Sequence, residues 1–281
     1  MANFDFDQAE GLRRMLAGPR PRIVTFLSAV ADDDKGAMLV NLGASLVGAG
    51  SDVLLVDARS ATRGVAGRSG APSLLDVARQ ECALDQALQQ MSEGFNLVSL
   101  TRGKSQSRGA ATEDETRRLA KVFDLLAKQA GIVVVDAELG ADDSLPIPAM
   151  ASSEIVVQVS TSAASIKSAY SLIKRLSNTL GRRPFSLLVT GASEVEAKRV
   201  YDNIAQAASR YLAIQLISVG SVPADEHLNR AAHLGRAVID AFPLAGASVA
   251  FRQLAGRLAV PDLSTVGLRV KATSSGSNLG I

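Results

Sequence analysis

Short apolar runs alternate with longer helical stretches along most of the chain, and this alternation limits the possible fold more than any other feature. Most of the runs are continuously apolar, which is typical of strands buried on both faces of a sheet. Strands that alternate with helices predict an α/β fold, in which a doubly wound, mainly parallel sheet carries helices on both faces. The runs cover residues 22–30, 52–58, 95–100, 131–137, 154–160, 185–191 and 213–220.

The stretches between these runs carry apolar residues at helical spacing. In 162–180, Ile166, Tyr170, Ile173 and Leu176 recur every three or four residues, which predicts a helix with one apolar face. The same reasoning predicts three further helices, over 36–49, 112–129 and 194–210.

The composition excludes several classes of protein. The net charge is +2, from 30 basic and 28 acidic residues, and only 4% of the residues are aromatic, so we expect no nucleic-acid partner. The single cysteine, Cys82, excludes a disulfide framework and a cysteine-based metal site. His227 and His233 cannot share one helix face, so we expect no metal site.

The chain divides into one large domain and two short ends. The sequence GPRPR at 18–22 interrupts any helix, so residues 1–18 form a separate N-terminal appendage. The α/β domain spans 19–262. Residues 263–281 end in small polar side chains and are expected to form a flexible tail. No apolar run reaches the roughly 18 residues of a membrane span, which favours a cytoplasmic protein.

The stretch LSAVADDDKGAMLVNLGASL, residues 27–46, lies between the first strand and its helix, where a phosphate-binding loop would lie. Such loops carry glycines, a lysine and a hydroxyl that binds magnesium, but the residue after the lysine is here Gly36. Carboxylates suit the start of a helix, and they repel a triphosphate. We expect the protein's own carboxylates to fill the anion site with the lysine as counter-charge; the alternative is a nucleotide bound in an unusual manner. The residues concerned are Asp32, Asp33, Asp34 and Lys35.

These features, in this order and spacing, resemble the MinD/ParA family of deviant phosphate-loop ATPases, and within it the flagellar-number regulators FlhG or FleN. The strand VLLVDA, which ends near Asp57, is similar to the family's VLLIDAD stretch. The segment 132–174, which contains Asp136, resembles its Walker B motif, switch II and the following strand and helix. The segment 221–258 resembles its closing elements. The resemblance covers nearly the whole chain.

This sequence departs from the family pattern Gly-Lys-Gly-Gly-Val-Gly-Lys-Thr at several positions. The signature lysine is replaced by Val30, and the second aspartate of switch I is replaced by Arg59. No adenine-reading asparagine stands near 189–191. The resemblance therefore implies a pseudo-ATPase that needs no cofactor, with ATP and magnesium expected only if the site still works. The vestigial nucleotide-binding residues are Asp32, Asp33, Asp34, Lys35, Gly36, Asp57 and Asp136.

The N-terminal segment FDFDQAEGLRRML, residues 4–16, has two interpretations. From its spacing alone it is an ordinary amphipathic helix, with Leu12, Met15 and Leu16 on its apolar side. The resemblance instead implies an activating element, because FlhG-type proteins carry an Asp-Gln-Ala-x-x-Leu-Arg motif that acts on the signal-recognition-type GTPase FlhF. A glutamine amide can orient the attacking water in a GTPase, which assigns that role to Gln8. The motif is intact as Asp7, Gln8, Ala9, Leu12 and Arg13.

The resemblance as a whole implies a regulator of flagellar number or assembly that acts by protein–protein interaction, in the cytoplasm and at the cell pole. It implies an FlhF-type GTPase as partner, with a flagellar transcription activator or switch-complex component as further partners. MinD relatives end in an amphipathic membrane helix, but the apolar signal after Pro261 is weak, so membrane contact is expected to be weak or transient. The alternatives are an active ATPase switch that dimerises on ATP, or a MinD-like scaffold for another polar assembly.

Overall fold

The strands form one sheet of eight, described by a computed structural model that covers residues 21–30, 35–59, 70–101 and 112–259. The order across the sheet is β3-β4-β2-β5-β1-β6-β7-β8. Every neighbouring pair is parallel except β3 and β4. The predicted doubly wound, mainly parallel sheet is confirmed. The strands are β1 (Arg22–Ser28), β2 (Val53–Ala58), β3 (Gln89–Gln90), β4 (Asn96–Ser99), β5 (Ile132–Ala137), β6 (Glu154–Val159), β7 (Phe185–Thr190) and β8 (Leu216–Val222).

The described part of the chain contains ten helices, and both faces of the sheet carry some of them. Two apolar cores result, one on each face: α6 and α7 pack on the first, and α1 and α10 pack together on the second. The helices are α1 (Lys35–Gly48), α2 (Leu74–Ala78), α3 (Leu84–Ala87), α4 (Glu113–Ala127), α5 (Pro148–Ser152), α6 (Ala163–Leu180), α7 (Glu194–Leu212), α8 (Glu226–His233), α9 (Val238–Ala241) and α10 (Gly246–Ala259).

Local sequence signals explain where several helices begin. Thr112 and Ser193 cap α4 and α7, and each side chain accepts a hydrogen bond from the backbone of a glutamate three residues later. In α6, Ile173 and Leu176 are buried as predicted, whereas Ile166 and Tyr170 are only half-buried. The buried positions nearer its start belong to smaller residues, because the Ser165 hydroxyl turns inward and accepts a hydrogen bond from the backbone of Ser160.

The last strand, β8, is irregular. Its pairing with β7 slips after Leu187, so that Val219 is an extra residue opposite the regular ladder. Gly220 follows with a φ of +131°. A Cβ there would lie 3.1 Å from the Arg257 guanidinium and 3.2 Å from Leu254. Both the backbone angle and the close approach of α10 therefore require glycine.

The ends of the predicted domain division lie outside the described residues. These ends are the N-terminal appendage, residues 1–18, and the tail, residues 263–281. Within the described ranges, no helix is long and apolar enough to cross a membrane.

Candidate functional site

The predicted site lies at the carboxyl ends of β1, β2 and β5, where the first helix begins. Lys35 is the first residue of α1, and only 1% of its surface is exposed. Its ammonium Nζ lies 2.5 Å from Oδ1 of Asp136, and it donates to the carbonyl of Ala137 at 2.8 Å and to that of Phe26 at 3.4 Å. The lysine therefore points down into the ends of the central strands.

Asp136 is fully buried on β5, so its charge depends on the lysine. A buried carboxylate without a compensating charge is strongly destabilising, and a close ion pair offsets part of the desolvation. Lys35 and Asp136 thus form a buried ion pair with no net charge.

Asp57 lies beside this pair, because β2 and β5 are in register there and Asp57 is directly opposite Asp136. Burial and the neighbouring charge of Asp136 raise the pKa of Asp57 to about 6. A hydrogen bond from the backbone N–H of Arg59, at 3.2 Å, and the positive charges of Arg59 and Lys35 oppose that rise. Asp57 is therefore a carboxyl group that titrates near neutral pH at the edge of the site.

The structure brings three of the predicted residues together, namely Lys35, Asp57 and Asp136. Gly36 follows the lysine as the second residue of α1. Asp32, Asp33 and Asp34 lie outside the described residues, as do Asp7, Gln8, Ala9, Leu12 and Arg13. The ion pair with Asp136 was not predicted, because the two residues are far apart in sequence and meet only through the pairing of β1 with β5.

A buried amide, Gln158, was also missed. It stands on β6 and its Nε2 donates to the Thr190 hydroxyl at 3.2 Å, at the strand ends where the family's adenine-reading asparagine was sought. Its Oε1 is buried and has no hydrogen-bond partner among the described residues. The signal was present in the sequence, because Gln158 is the one polar residue inside the otherwise apolar run IVVQV.

A third carboxylate, Asp225, follows β8 at the same edge of the sheet. Oδ1 accepts a hydrogen bond from the backbone of His227 at 2.9 Å and lies 2.7 Å from Nδ1 of its ring, while Oδ2 accepts one from the backbone of Ala247 at 2.9 Å. The hydrogen bond from Ala247, followed by those from His227, lowers the pKa of Asp225. Asp225 caps the first turns of both α8 and α10.

The described residues contain no group of three or more side chains suited to hold a metal ion. These residues offer electrostatic contacts. Lys35 is paired with Asp136, the carboxyl group of Asp57 has a pKa of about 6, and Gln158 supplies a buried amide. A reacting phosphate needs positive charge that is available to it, and the Lys35 ammonium is held by Asp136 and by carbonyl oxygens.

Comparison with known proteins identifies the family. No family model matches the chain. The antiactivator FleN of Pseudomonas aeruginosa is 30% identical over 223 residues, which are 78% of this chain and 79% of that protein. Among solved structures, the MinD cell division protein of Aquifex aeolicus has a TM-score of 0.63 at 19% identity, over 84% of this chain and 96% of its own. The septum site-determining protein MinD of Pyrococcus horikoshii, complexed with Mg-ADP, has a TM-score of 0.62 at 16% identity, over 88% and 98%. The chain belongs to the MinD/ParA family, in the FlhG/FleN group.

Proposed function

We propose that the protein regulates flagellar number or assembly by protein–protein interaction, and that its N-terminal motif stimulates an FlhF-type GTPase. The name of its relative, antiactivator FleN, supports a regulator that acts on an activator protein. The motif supports the GTPase partner, because the glutamine, leucine and arginine that the group's activating element needs are all present at Gln8, Leu12 and Arg13.

We further propose that its own ATPase site is degenerate. The observation that carries this proposal is the position of Lys35, which is buried against Asp136 and donates to the carbonyl of Ala137. The sequence supports it independently, since Gly36 provides no hydroxyl for magnesium and Val30 replaces the signature lysine. The fold serves in this proposal as a scaffold that presents binding surfaces in the cytoplasm and at the cell pole.

A second candidate function is an active ATPase switch that dimerises on ATP. The register that places Asp57 opposite Asp136 favours it, because both carboxylates of the family's site stand at the ends of their strands. The two candidates differ in what they require of nucleotide: the switch depends on ATP, whereas the proposed regulator stimulates its partner without it.

The test is the rate of GTP hydrolysis by a purified FlhF-type GTPase, with the full chain added and no ATP present. The wild-type chain is expected to raise the rate, and Gln8→Ala is expected to abolish most of that rise, because the amide that orients the attacking water is gone. Glu10→Ala, at the first variable position of the motif, serves as the matched control and should keep the stimulation. Equal stimulation by wild type and Gln8→Ala would refute the role of the motif.

A further inference from the structure

The outer edge of the sheet carries a groove of about 710 Å³, which we call the edge groove. Its floor is β8, the last strand, and its walls are α7 and α10 from opposite faces of the sheet. Its walls combine apolar side chains, such as Tyr201 and Leu254, with four charged ones, Glu194, Lys198, Asp202 and Arg257. A groove of this shape between two helices accommodates an elongated segment of protein.

Exposed apolar side chains occur on each element that forms the edge groove. Val249 on α10 lines it and is 43% exposed, and Val195 on α7 and Ile217 on β8, which adjoin lining residues in sequence, are 64% and 47% exposed. Exposed apolar residues beside a groove are typical of an interaction site.

The edge groove is suited to a helix and poorly suited to an added strand. An added strand would need free backbone groups along β8, yet two outward carbonyls already accept side-chain hydrogen bonds. The Tyr201 hydroxyl donates to the carbonyl of Leu216 at 2.8 Å, and the Arg257 guanidinium donates to that of Val219 at 2.8 Å. The irregularity at Val219 breaks the ladder further. Natural sheets protect such edges by covering them with a helix or a loop.

The beginning of the described chain lies beside the lower end of the edge groove. Arg22 donates to the carbonyl of Leu258 at 2.9 Å, so the start of β1 is tied to the last turn of α10, whose Arg257 lines the groove. Residues 17–20 can span at most about 14 Å when extended. The chain length therefore allows the segment 4–16 to reach the groove. As a helix, its thirteen residues would be about 20 Å long, close to the length of α10.

We propose that residues 4–16 dock as a helix in the edge groove of the same chain, with Leu12, Met15 and Leu16 against α7, β8 and α10. Their spacing gives the single apolar side that a groove between two helices requires. Docking shields Gln8 from the partner GTPase, so the protein sequesters its own activating element until a partner displaces it. This regulatory step, though not the docking itself, rests on the proposed function.

The C-terminal residues also start near the groove, but the fold disfavours them as its occupant. Their apolar residues Val266, Leu268 and Val270 alternate with polar ones or glycine, which is a strand pattern. A strand beside β8 and parallel to it would follow α10, which lies on the opposite face from α7. Because β7, α7 and β8 already form a crossover in the same direction, that connection would be left-handed, which parallel sheets almost never contain.

The docking is tested in the full chain with a nitroxide spin label on Gly11→Cys, in a Cys82→Ser background, by the loss of amide signals in nuclear magnetic resonance spectra. We expect signals from α7, β8 and α10 to be lost, and those from α4 at the other side of the molecule to persist. Val249→Asp should restore the lost signals. Leu125→Asp, an equal change at a residue of α4 that is 56% exposed, should not.

Three outcomes would overturn the docking. The first is signal loss elsewhere or none. The second is loss only between labelled and unlabelled molecules, which would assign the groove to a second copy. The third is loss around the groove from a label on Val270→Cys but none from Gly11→Cys. None of these measurements needs the GTPase, so they stand even if Gln8→Ala fails to lower stimulation.

The regulatory step is tested separately with the same two variants. Val249→Asp is expected to stimulate the GTPase several-fold more than wild type, whereas Leu125→Asp should match wild type. Docking that is lost in Val249→Asp without any change in stimulation would show that the contact does not inhibit.

Discussion

Asp57 and Asp136 occupy equivalent positions on neighbouring strands, yet their environments differ. Asp136 is fully buried and bound to the ammonium of Lys35, whereas Asp57 is half-buried and accepts one hydrogen bond from the backbone of Arg59. The first carboxylate lies against a positive partner, whereas burial and the charge of the first raise the pKa of the second to about 6. Equivalent strand positions therefore do not give equivalent chemistry; the side chain that arrives from another element decides it.

The largest effect is expected from removing the positive partner. Lys35→Met leaves Asp136 buried without a compensating charge, so the free energy of unfolding should fall by about 3–5 kcal/mol. The double variant Lys35→Met/Asp136→Leu replaces the pair with apolar side chains and should recover most of that loss. Urea denaturation of the three proteins measures both values. A double variant as unstable as the single one would show that the uncompensated carboxylate is not the cause.

Substitution of Asp57 is expected to change the free energy of unfolding by less, and in the opposite direction. Because its folded-state pKa is about 6, above the usual value, the folded protein keeps a proton that the unfolded chain releases between about pH 4 and pH 6. Stability therefore falls as the pH rises through this window. Asp57→Asn should remove the slope and raise the free energy of unfolding at pH 7.5 by about 2–3 kcal/mol, with little change at pH 4. An unchanged slope in the variant would contradict the raised pKa.

The smallest change in stability is expected from the addition of nucleotide. A ligand that binds only the folded state at a hundred times its Kd stabilises by about 2.7 kcal/mol, which is readily seen as a rise in the melting temperature. If the Lys35–Asp136 pair takes the lysine away from phosphates, magnesium with millimolar ATP should leave the melting temperature unchanged relative to magnesium alone. A saturable rise at micromolar ATP would favour the active switch and contradict the degenerate site.

The sequence predicts the sheet well because its central strands are buried on both faces and read as continuous apolar runs. It fails where pairing alone defines an element: β3 is only Gln89 and Gln90, and no local signal marks it. The run predicted over 213–220 begins later, at Leu216, because Ala213 takes a left-handed conformation that ends α7. Its start could not be read from hydrophobicity.

Part of the candidate site could be predicted from the same apolar runs that mark the strands. Asp57 and Asp136 could be found because each closes an apolar run, and parallel strand ends meet at one edge. The depth of Lys35 and the contact between Gln158 and Thr190 could not, since both depend on the packing of side chains from distant elements. The role of Asp225 was predictable only in part. His227 is two residues away in sequence, but Ala247, the other hydrogen-bond donor, comes from a distant helix.

The position of Asp225 affects how residues 225–259 open. A single carboxylate fixes the first turns of α8 and α10, and the Ser248 hydroxyl ties α10 to the carbonyls of Val238 and Phe242 in between. Loss of this one carboxylate would therefore leave the first turns of both helices without their cap. We expect residues 225–259 to open together, and because α10 packs on α1 and β8, their opening also exposes the apolar core on that face of the sheet.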